Sequence, residues 1–465
     1  MPSSPSSASS SALGALATLR LPAGAESVID GIRDAGGQAY LVGGAVRDAL
    51  LGRAIRDWDF ATDLPPTRLA ELFRRTHLVG AQFGTVLVSF DDETYQVTTF
   101  RRDGVYVDSR HPESVEFTDS IEEDLTRRDF TINALAYDPR ARRLVDPSGG
   151  RDDLQARRLR AVGDPETRFR EDGLRLLRAV RLASQLEFEI DLATLRALVL
   201  CAPGISRISP ERVREELTKL LELPRPSSGL LLLLETGLLR RVLPELDGCY
   251  GVTQNPHHAY DVFFHSLAAV DRSPADRPVV RLAALYHDIG KPVSRVVSEE
   301  TATFYGHQFD GERLADALMR RLRYPTDERT RVAHLVRHHM FHYMPEWTDG
   351  AVRRFLRQIG PENLSDLVGM RAADTLGNGL RRRLAPEVEE LQRRCARVLE
   401  QENALSVRDL AVGGADLMRE LDLAPGPIIG RLLHHLLELV LEEPELNTRD
   451  ALLGEARKAL PGTST

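Results

Sequence analysis

Two aspartates one residue apart, Asp57 and Asp59 in "RDWDFAT", follow the glycine pair Gly43-Gly44, with Arg47 between. Residues i and i+2 of a strand point to one side. The spacing therefore projects both carboxylates together at the start of a strand read over residues 58–62. Such a pair suits Mg²⁺, which takes one or two carboxylates and completes its shell with waters and substrate phosphates. Gly43 and Gly44 let backbone amides approach a phosphate, and the helix beginning near Ala45 aims its positive end there. Arg47 adds a fork of donors for phosphate oxygens. The assembled parts imply phosphoryl transfer from a triphosphate. Two ions about 3.5–4 Å apart would then activate the attacking hydroxyl and stabilise the leaving pyrophosphate. Either signal alone is ordinary turn chemistry; the ordered string carries the inference.

A second constellation lies in "RFREDGLRLLRAVRLASQLEF", where Asp172 and Arg175 stand three apart on a helical pattern, hence on one face. An ionised Asp only accepts hydrogen bonds and Arg only donates. Cytosine and adenine both present an amino donor beside a ring acceptor; uracil and guanine present the reverse. One acceptor–donor pair can therefore take C and A and reject U and G by leaving buried groups unpaired. On spacing alone, the pair reads equally as a surface salt bridge. Arg168, Arg170, Arg175, Arg178 and Arg181 form a basic stripe suited to a phosphate-rich partner.

Nine of the thirteen histidines fall between His257 and His342. His265, His287-Asp288 and Asp374 offer imidazole and carboxylate together, a set that suits Mn²⁺, Ni²⁺ or Co²⁺. His307 and His338, or its neighbour His339, could hold a second ion. His257, His258, His334, His342, His434 and His435 fit no ligand role.

These residues need elements to hold them. Strands are expected over residues 38–42, 58–62, 83–90 and 94–100, the last two joined by a turn at Asp91-Asp92-Glu93. Helices are expected over 46–51 and 65–75. From about Leu154 the strand signals fade, and Leu/Arg-rich helical patterns, broken at prolines, run to the end. Residues 229–234 read as a piece of buried helix. The 465 residues exceed one ordinary core. No apolar run reaches membrane-spanning length. The Ser/Pro/Ala-rich first 20 residues read as a disordered tail. Three distant cysteines form neither a disulfide framework nor a zinc pattern, which fits a reducing cytoplasm. A net charge of −8 argues against a whole-surface nucleic-acid binder.

The string GGxVRD followed by DWDFAT resembles the head of the class II tRNA nucleotidyltransferase (CCA-adding enzyme) and bacterial poly(A) polymerase family. "TTFRRDG", with Asp103, and "EEDLTRRDFTINALAYD", with Arg127, Arg128 and Asp129, resemble its second and third motifs. The resemblance implies nucleotide binding for these residues and, for the third motif, ribose recognition and head–neck geometry. Glu171, Asp172 and Arg175 resemble the family's EDxxR nucleotide-reading motif, with Arg178 beyond it. "ISPERVREEL" resembles its helix-capping motif. The family often has Pro where Gly173 stands here, a change expected to loosen the helix slightly. The family's class II members manage without a third carboxylate on a later strand, and "TYQVTTF" has none. "FFHSL…LYHDIGKP…GHQFDGE…RHHMFH…RAADT" resembles an HD phosphohydrolase domain, which in some relatives hydrolyses 2′,3′-cyclic or terminal phosphates. The expected class is α+β: a small α/β nucleotidyltransferase head (21–150) with a mixed sheet, then an all-α neck (151–225), body (226–385, HD domain about 260–375) and tail (386–465). The expected function is CCA addition to tRNA from CTP and ATP, with Mg²⁺ in the head and no membrane, as a monomer or homodimer. A poly(A) polymerase would be expected to carry a basic C-terminal extension; this tail is acidic to neutral. A CC-adding enzyme would lack the polar loop at 101–119. A signalling uridylyltransferase would lack EDxxR, and a dead binding protein would not keep both carboxylate sets.

Overall fold

The computed structural model describes residues 14, 16–78, 84–104, 115–254, 259–297, 302–380, 383, 386–401 and 405–460. The chain divides into two compact units, one of residues 1–223 and 228–244, the other of residues 224–227 and 245–465. Among the described residues no helix is long and apolar enough to cross a membrane.

The first unit opens with helix α1 (Ala23–Asp34), whose Ala25, Val28, Ile29 and Ile32 form a buried stripe at helical spacing. Strand β1 (Ala39–Val42) then runs into α2 (Gly44–Leu50), β2 (Asp59–Thr62), α3 (Pro66–Leu72), β3 (Thr76–His77), β4 (Thr85–Phe90) and β5 (Glu93–Thr99). A small pair, β6 (Arg101–Asp103) and β7 (Val115–Phe117), precedes α4 (Ile121–Thr126), β8 (Ala136–Asp138) and β9 (Arg143–Val145). The seven-stranded sheet has the order β3-β4-β5-β2-β1-β8-β9. It is mixed as expected: β2 and β5 are parallel and the other neighbours antiparallel. All four residues of β1 are buried, as a strand covered on both faces requires. Tyr40, Val42, Ala61, Phe100, Leu125 and Ala136 share one apolar cluster.

The β4–β5 turn is tighter than expected. Glu93 pairs with Phe90 inside the ladder, so Asp91 and Asp92 alone make the loop. Asp91 takes φ 50°, as a two-residue hairpin demands. The disordered tail expected through residue 20 needs correction at Leu16, which is 2 % exposed. Residues 1–13 and 15 lie outside the described residues, as do His257, His258 and most of the polar loop, 105–114.

Past the sheet come α5 (Gly150–Gln155), α6 (Pro165–Glu171), α7 (Leu174–Leu186), α8 (Leu192–Cys201) and α9 (Pro210–Leu221). The apolar run at 229–234 lies in the helix Ser227–Glu235, with Gly229, Leu230 and Leu233 buried. The second unit is built on α10 (Val262–Arg272), α11 (Pro278–Tyr286), α12 (His307–Arg321), α13 (Thr326–His338), α14 (Asp349–Ile359), α15 (Leu364–Gly377), α16 (Pro386–Glu400), α17 (Pro427–Glu442) and α18 (Arg449–Ala459). Helix α10 packs on α15, α11 on α13 and α12 on α13, so five chain segments meet at one place. Leu417, Leu432, Leu436, Val440, Leu452 and Leu453 make a separate apolar cluster near the C-terminus.

Candidate active sites

In the first unit β1 delivers the chain to Gly43, whose φ of 66° and ψ of −126° a side chain would not tolerate. The Gly43 N–H donates to the Leu135 carbonyl on the way into β8. A Cβ on Gly43 would stand 3.0 Å from Nη1 of Arg128, so the glycine brings backbone and guanidinium together. The strand holding the carboxylates starts at Asp59, one position later than expected; Asp57 belongs to the preceding loop. The two still interact. Burial raises the pKa of Asp59; the Arg128 charge opposes this and the Asp57 charge adds to it. Two carboxylates that repel across a half-buried site, with oxygen donors only, are a fitting Mg²⁺ pair. The residue opposite Asp59 on β5 is Gln96, so the ladder supplies no third carboxylate at that register.

Arg47 is 7 % exposed. Its Nε and Nη2 donate to Asp48 at 2.9 Å each, and Nη1 donates to Asn133 Oδ1 at 2.7 Å. Those bonds tie α2 to the segment before β8, which makes Arg47 a brace for the glycine turn in place of the open phosphate fork expected. The side chain of Asp103 lies outside the described residues.

The nucleotide-reading motif needs a larger correction. Asp172 and Arg175 do not share a helix face, because α6 ends at Glu171 and α7 starts at Leu174. Asp172 has an extended backbone, φ −141° and ψ 106°. Its Oδ1 accepts from the Leu174 N–H at 3.0 Å. Arg212 of α9 grips the same carboxylate with two N–H···O bonds of 3.2 and 2.8 Å. Arg175 is 8 % exposed; it donates to Glu171 and to the carbonyls of Arg168 and Arg127. Gly173 sits where a Cβ would press at 3.1 Å on the Gly204 carbonyl and 3.3 Å on Ile208, so its smallness serves close packing.

Arg178 joins Asp129 at 2.7 Å and Glu216 at 3.6 Å. Burial would raise Asp129, but Arg178 and Asn133 outweigh it and hold its pKa at about 2. Arg127 and Arg128 both pair with the buried Asp124. Sequence reasoning missed Arg212 and Glu216. Their i,i+4 spacing inside "ERVREE" was the available signal, since it puts both on the one face of α9 that meets Asp172, Arg178 and Arg181.

In the second unit the histidine expectations converge. His265 comes from α10, His287 and Asp288 follow α11, His307 opens α12 and Asp374 lies on α15. His265 Nε2 lies 3.1 Å from both His287 Nε2 and Asp374 Oδ1. The fifth segment supplies His339, not His338: His307 and His339 bring their Nε2 atoms to 3.1 Å. His338 instead stacks beside His334, with ring centroids 4.5 Å apart, and burial followed by the His334 charge lowers its pKa to about 4. Asp288 divides the cluster. Its Oδ2 lies 3.2 Å from His287 Nε2 and its Oδ1 3.4 Å from His307 Nε2. Two three-residue groups, His265–His287–Asp288 and Asp288–His307–His339, thus have their ligand atoms within 4.8 Å.

The tautomers argue for cations. His287, His307 and His339 each donate Nδ1–H to a backbone carbonyl, at 2.7–2.8 Å. That leaves a neutral ring's Nε2 as a bare acceptor; at His287 burial opposes the charged form, but Asp288 and Asp374 outweigh it and raise the pKa. As neutral rings, His307 and His339 would face lone pair to lone pair, an arrangement a divalent ion between them would relieve. Burial and the charge of His287 hold His339 at about 3, so its ring is a neutral donor to metal. Burial opposes ionisation of Asp288, yet His287 and Lys291 hold it well below the usual carboxylate range. Lys291 Nζ donates to Asp288 Oδ2 and Gln254 Oε1 at 2.6 Å each. The cluster floors a cleft of about 410 Å³ whose walls include Arg371, Thr375, Asn378 and Tyr305.

A carboxylate pair beside a glycine turn on a mixed sheet, followed by a helical unit with a histidine–aspartate cluster, defines a nucleotidyltransferase-type head joined to an HD domain. Family models agree: residues 39–160 match the Poly A polymerase head domain, 187–249 a "probable RNA and SrmB-binding site of polymerase A", and 257–398 the HD domain. The CCA-adding enzyme of Geobacillus thermodenitrificans is 50 % identical over 203 residues, 44 % of this chain and 50 % of that protein. That of Streptococcus gordonii is 49 % identical over 221 residues, 48 % of this chain and 55 % of that protein. The chain thus spans about half the length of the curated relatives it matches. The crystal structure of the Bacillus stearothermophilus CCA-adding enzyme in complex with CTP is 30 % identical, covering 93 % of this chain and 95 % of that one, with a TM-score of 0.69. The chain belongs to the CCA-adding enzyme family.

Proposed function

We propose that the first unit adds C, C and A to tRNA 3′ ends from CTP and ATP without a nucleic-acid template. The observation that supports this is the break between Glu171 and Leu174, which holds the Asp172 carboxylate, fixed by Arg212, one step before the helix that carries Arg175. Asp172 accepts from the amino group that cytosine and adenine share; Arg175, whose Nη atoms donate to Glu171 and the Arg168 and Arg127 carbonyls, exchanges one of those bonds to meet the ring nitrogen. Uracil or guanine would leave acceptor facing acceptor, which costs on the order of 1–3 kcal/mol for each buried group left unsatisfied. Asp57 and Asp59 hold Mg²⁺, which when bound lowers the pKa of the terminal hydroxyl and neutralises the leaving pyrophosphate. Gly43 and Arg128 provide the backbone approach and counter-charge for the triphosphate. Arg47, Asp124 and Asn133 keep that geometry fixed before substrate arrives. On this reading the protein acts in the cytoplasm.

The second unit, on the same reading, is a metal-dependent phosphohydrolase. His265, His287, Asp288 and Asp374 would hold one divalent ion such as Mn²⁺ or Ni²⁺, and His307, His339 and Asp288 a second. A gel assay on tRNA transcripts ending at the discriminator base tests the first reading. Two additions with CTP, and a third only with ATP present, are expected, with no extension from UTP or GTP. Long adenosine tails from ATP alone would make it a poly(A) polymerase; a stop at two cytidines with both nucleotides supplied would make it CC-adding.

A further inference from the structure

Residues 53–58 join α2 to β2 without helix or strand, and Asp57 stands in this stretch. Its start is pinned to α2. Gly52 takes φ 64° and donates its N–H to the Ala49 carbonyl, while the Arg53 N–H donates to the Asp48 carbonyl at 2.8 Å. This left-handed closure fixes the Arg53 backbone on the end of the helix. The side chain then leaves α2 altogether. Its Nη1 and Nη2 both donate to the Gln185 carbonyl, at 3.3 Å each.

Gln185 lies in the last turn of α7. Carbonyls there find no partner further along the helix and form its negative end, so a guanidinium is a fitting donor. The Gln185 side chain is held too: Arg181 donates to its Oε1 at 2.9 Å and to the buried Glu216 at 2.6 Å. The opposite end of α7 carries Arg175, three residues after Asp172. An α-helix of 13 residues is a rod of about 20 Å, so its two ends move as one body. Arg53 therefore ties the stretch bearing Asp57 to the far end of the rod that bears Arg175.

We infer that Arg53 is a positioning residue for nucleotidyl transfer: it holds the Asp57 stretch in register with α7, so that metal and selected base meet the substrate in one geometry. The inference rests on the reading of Asp57 as a metal ligand and of Asp172 and Arg175 as the base reader, and it adds the link between them. Arg53 acts through Asp57 and not on the substrate. Misplacing a reacting group by about 1 Å costs on the order of a hundredfold in rate, which is the scale of effect one lost tether can have.

The test is steady-state incorporation of CTP into tRNA transcripts ending at the discriminator base, across a Mg²⁺ series. Arg53→Ala is expected to lower kcat about ten- to a hundredfold and to raise the Mg²⁺ concentration for half-maximal rate, with KM for CTP within about twofold of wild type. Arg53 is exposed, so the variant folds. Arg53→Lys keeps a donor of similar reach and should recover most of the loss. Arg157→Ala is the control for capping alone. Arg157 Nη2 donates to the Leu186 and Glu187 carbonyls at 3.5 and 3.3 Å, at the same helix end, from a segment that carries neither aspartate of the pair. It should lower the melting temperature and leave kcat and the Mg²⁺ midpoint in place. A wild-type kcat in Arg53→Ala, an equal fall in Arg157→Ala, or an Arg53→Lys no better than Arg53→Ala would overturn the inference and leave the metal reading standing. Asp57→Asn separates the two failures: it should abolish incorporation, and unchanged incorporation would remove Asp57 from the metal site and the inference with it.

Discussion

At the scale of single residues, the neighbouring pair His338-His339 shows how much one position decides. Helix α13 ends at His338, and the next residue turns its ring onto His307. His339→Ala is expected to release metal from the second unit, while His338→Ala retains it; metal content after dialysis separates the two. Asp59→Ala should lower nucleotide incorporation on the order of a thousandfold, the several kcal/mol that metal activation supplies. Retention of tRNA in a mobility-shift gel would show that binding survives. A variant that still incorporates CTP would remove Asp59 from the metal site. Residue types were legible from spacing in both places, but the choice between adjacent histidines was not. A string such as "RHHMFH" carries no mark of where its helix stops. Asp172 and Arg175 were misplaced for the same reason: three-residue spacing means one face only if the helix is continuous, and here it breaks between Glu171 and Leu174.

At the scale of elements, the sheet's strands were readable because they alternate or run apolar between turn residues. Their order was not. Nothing local tells that β5 returns to lie parallel beside β2. Close approaches between elements were equally silent. A Cβ on Gly290 would stand 2.1 Å from the His307 carbonyl and 2.5 Å from the Gly311 nitrogen, so this glycine lets the His287-Asp288 turn touch α12. Gly290→Ala should push the two apart, lowering both metal affinity and the melting temperature; an unchanged melting curve would refute the packing argument. The buried pair Asp129–Arg178 ties the segment before β8 to α7. Because the folded pKa of Asp129 is depressed to about 2, its stabilisation is present above the ordinary carboxylate range and fades as pH falls from about 4 to 2. Asp129→Asn should therefore cost about 3 kcal/mol near neutral pH, and the gap from wild type should close in denaturant melts at pH 2.

At the scale of the whole molecule, the second unit gathers the proposed metal ligands from residue 265 to residue 374 across five segments. On that proposal metal requires all five to be folded together, so its binding is linked to folding. A thousandfold excess over the dissociation constant adds about 4 kcal/mol. Chelation should lower the unfolding midpoint of residues 245–460 as followed by hydrogen exchange; a midpoint indifferent to chelator would mean the cluster assembles without metal. The division into an α/β head and a helical remainder was legible from where strand patterns stop. The described residues then place the carboxylate pair and the histidine cluster in two separate units.

Besides the Asp129–Arg178 pair, two arginines past the sheet hold the first unit together at atoms that no side chain provides. Arg168 and Arg175 donate to the backbone carbonyls of Thr126 and Arg127. Every amino acid carries that oxygen. Replacing the side chains at 126 and 127 leaves the suspension points intact, whereas inserting or deleting one residue there moves them. The geometry of the first unit is therefore partly written in chain length, a quantity that substitution scans never vary.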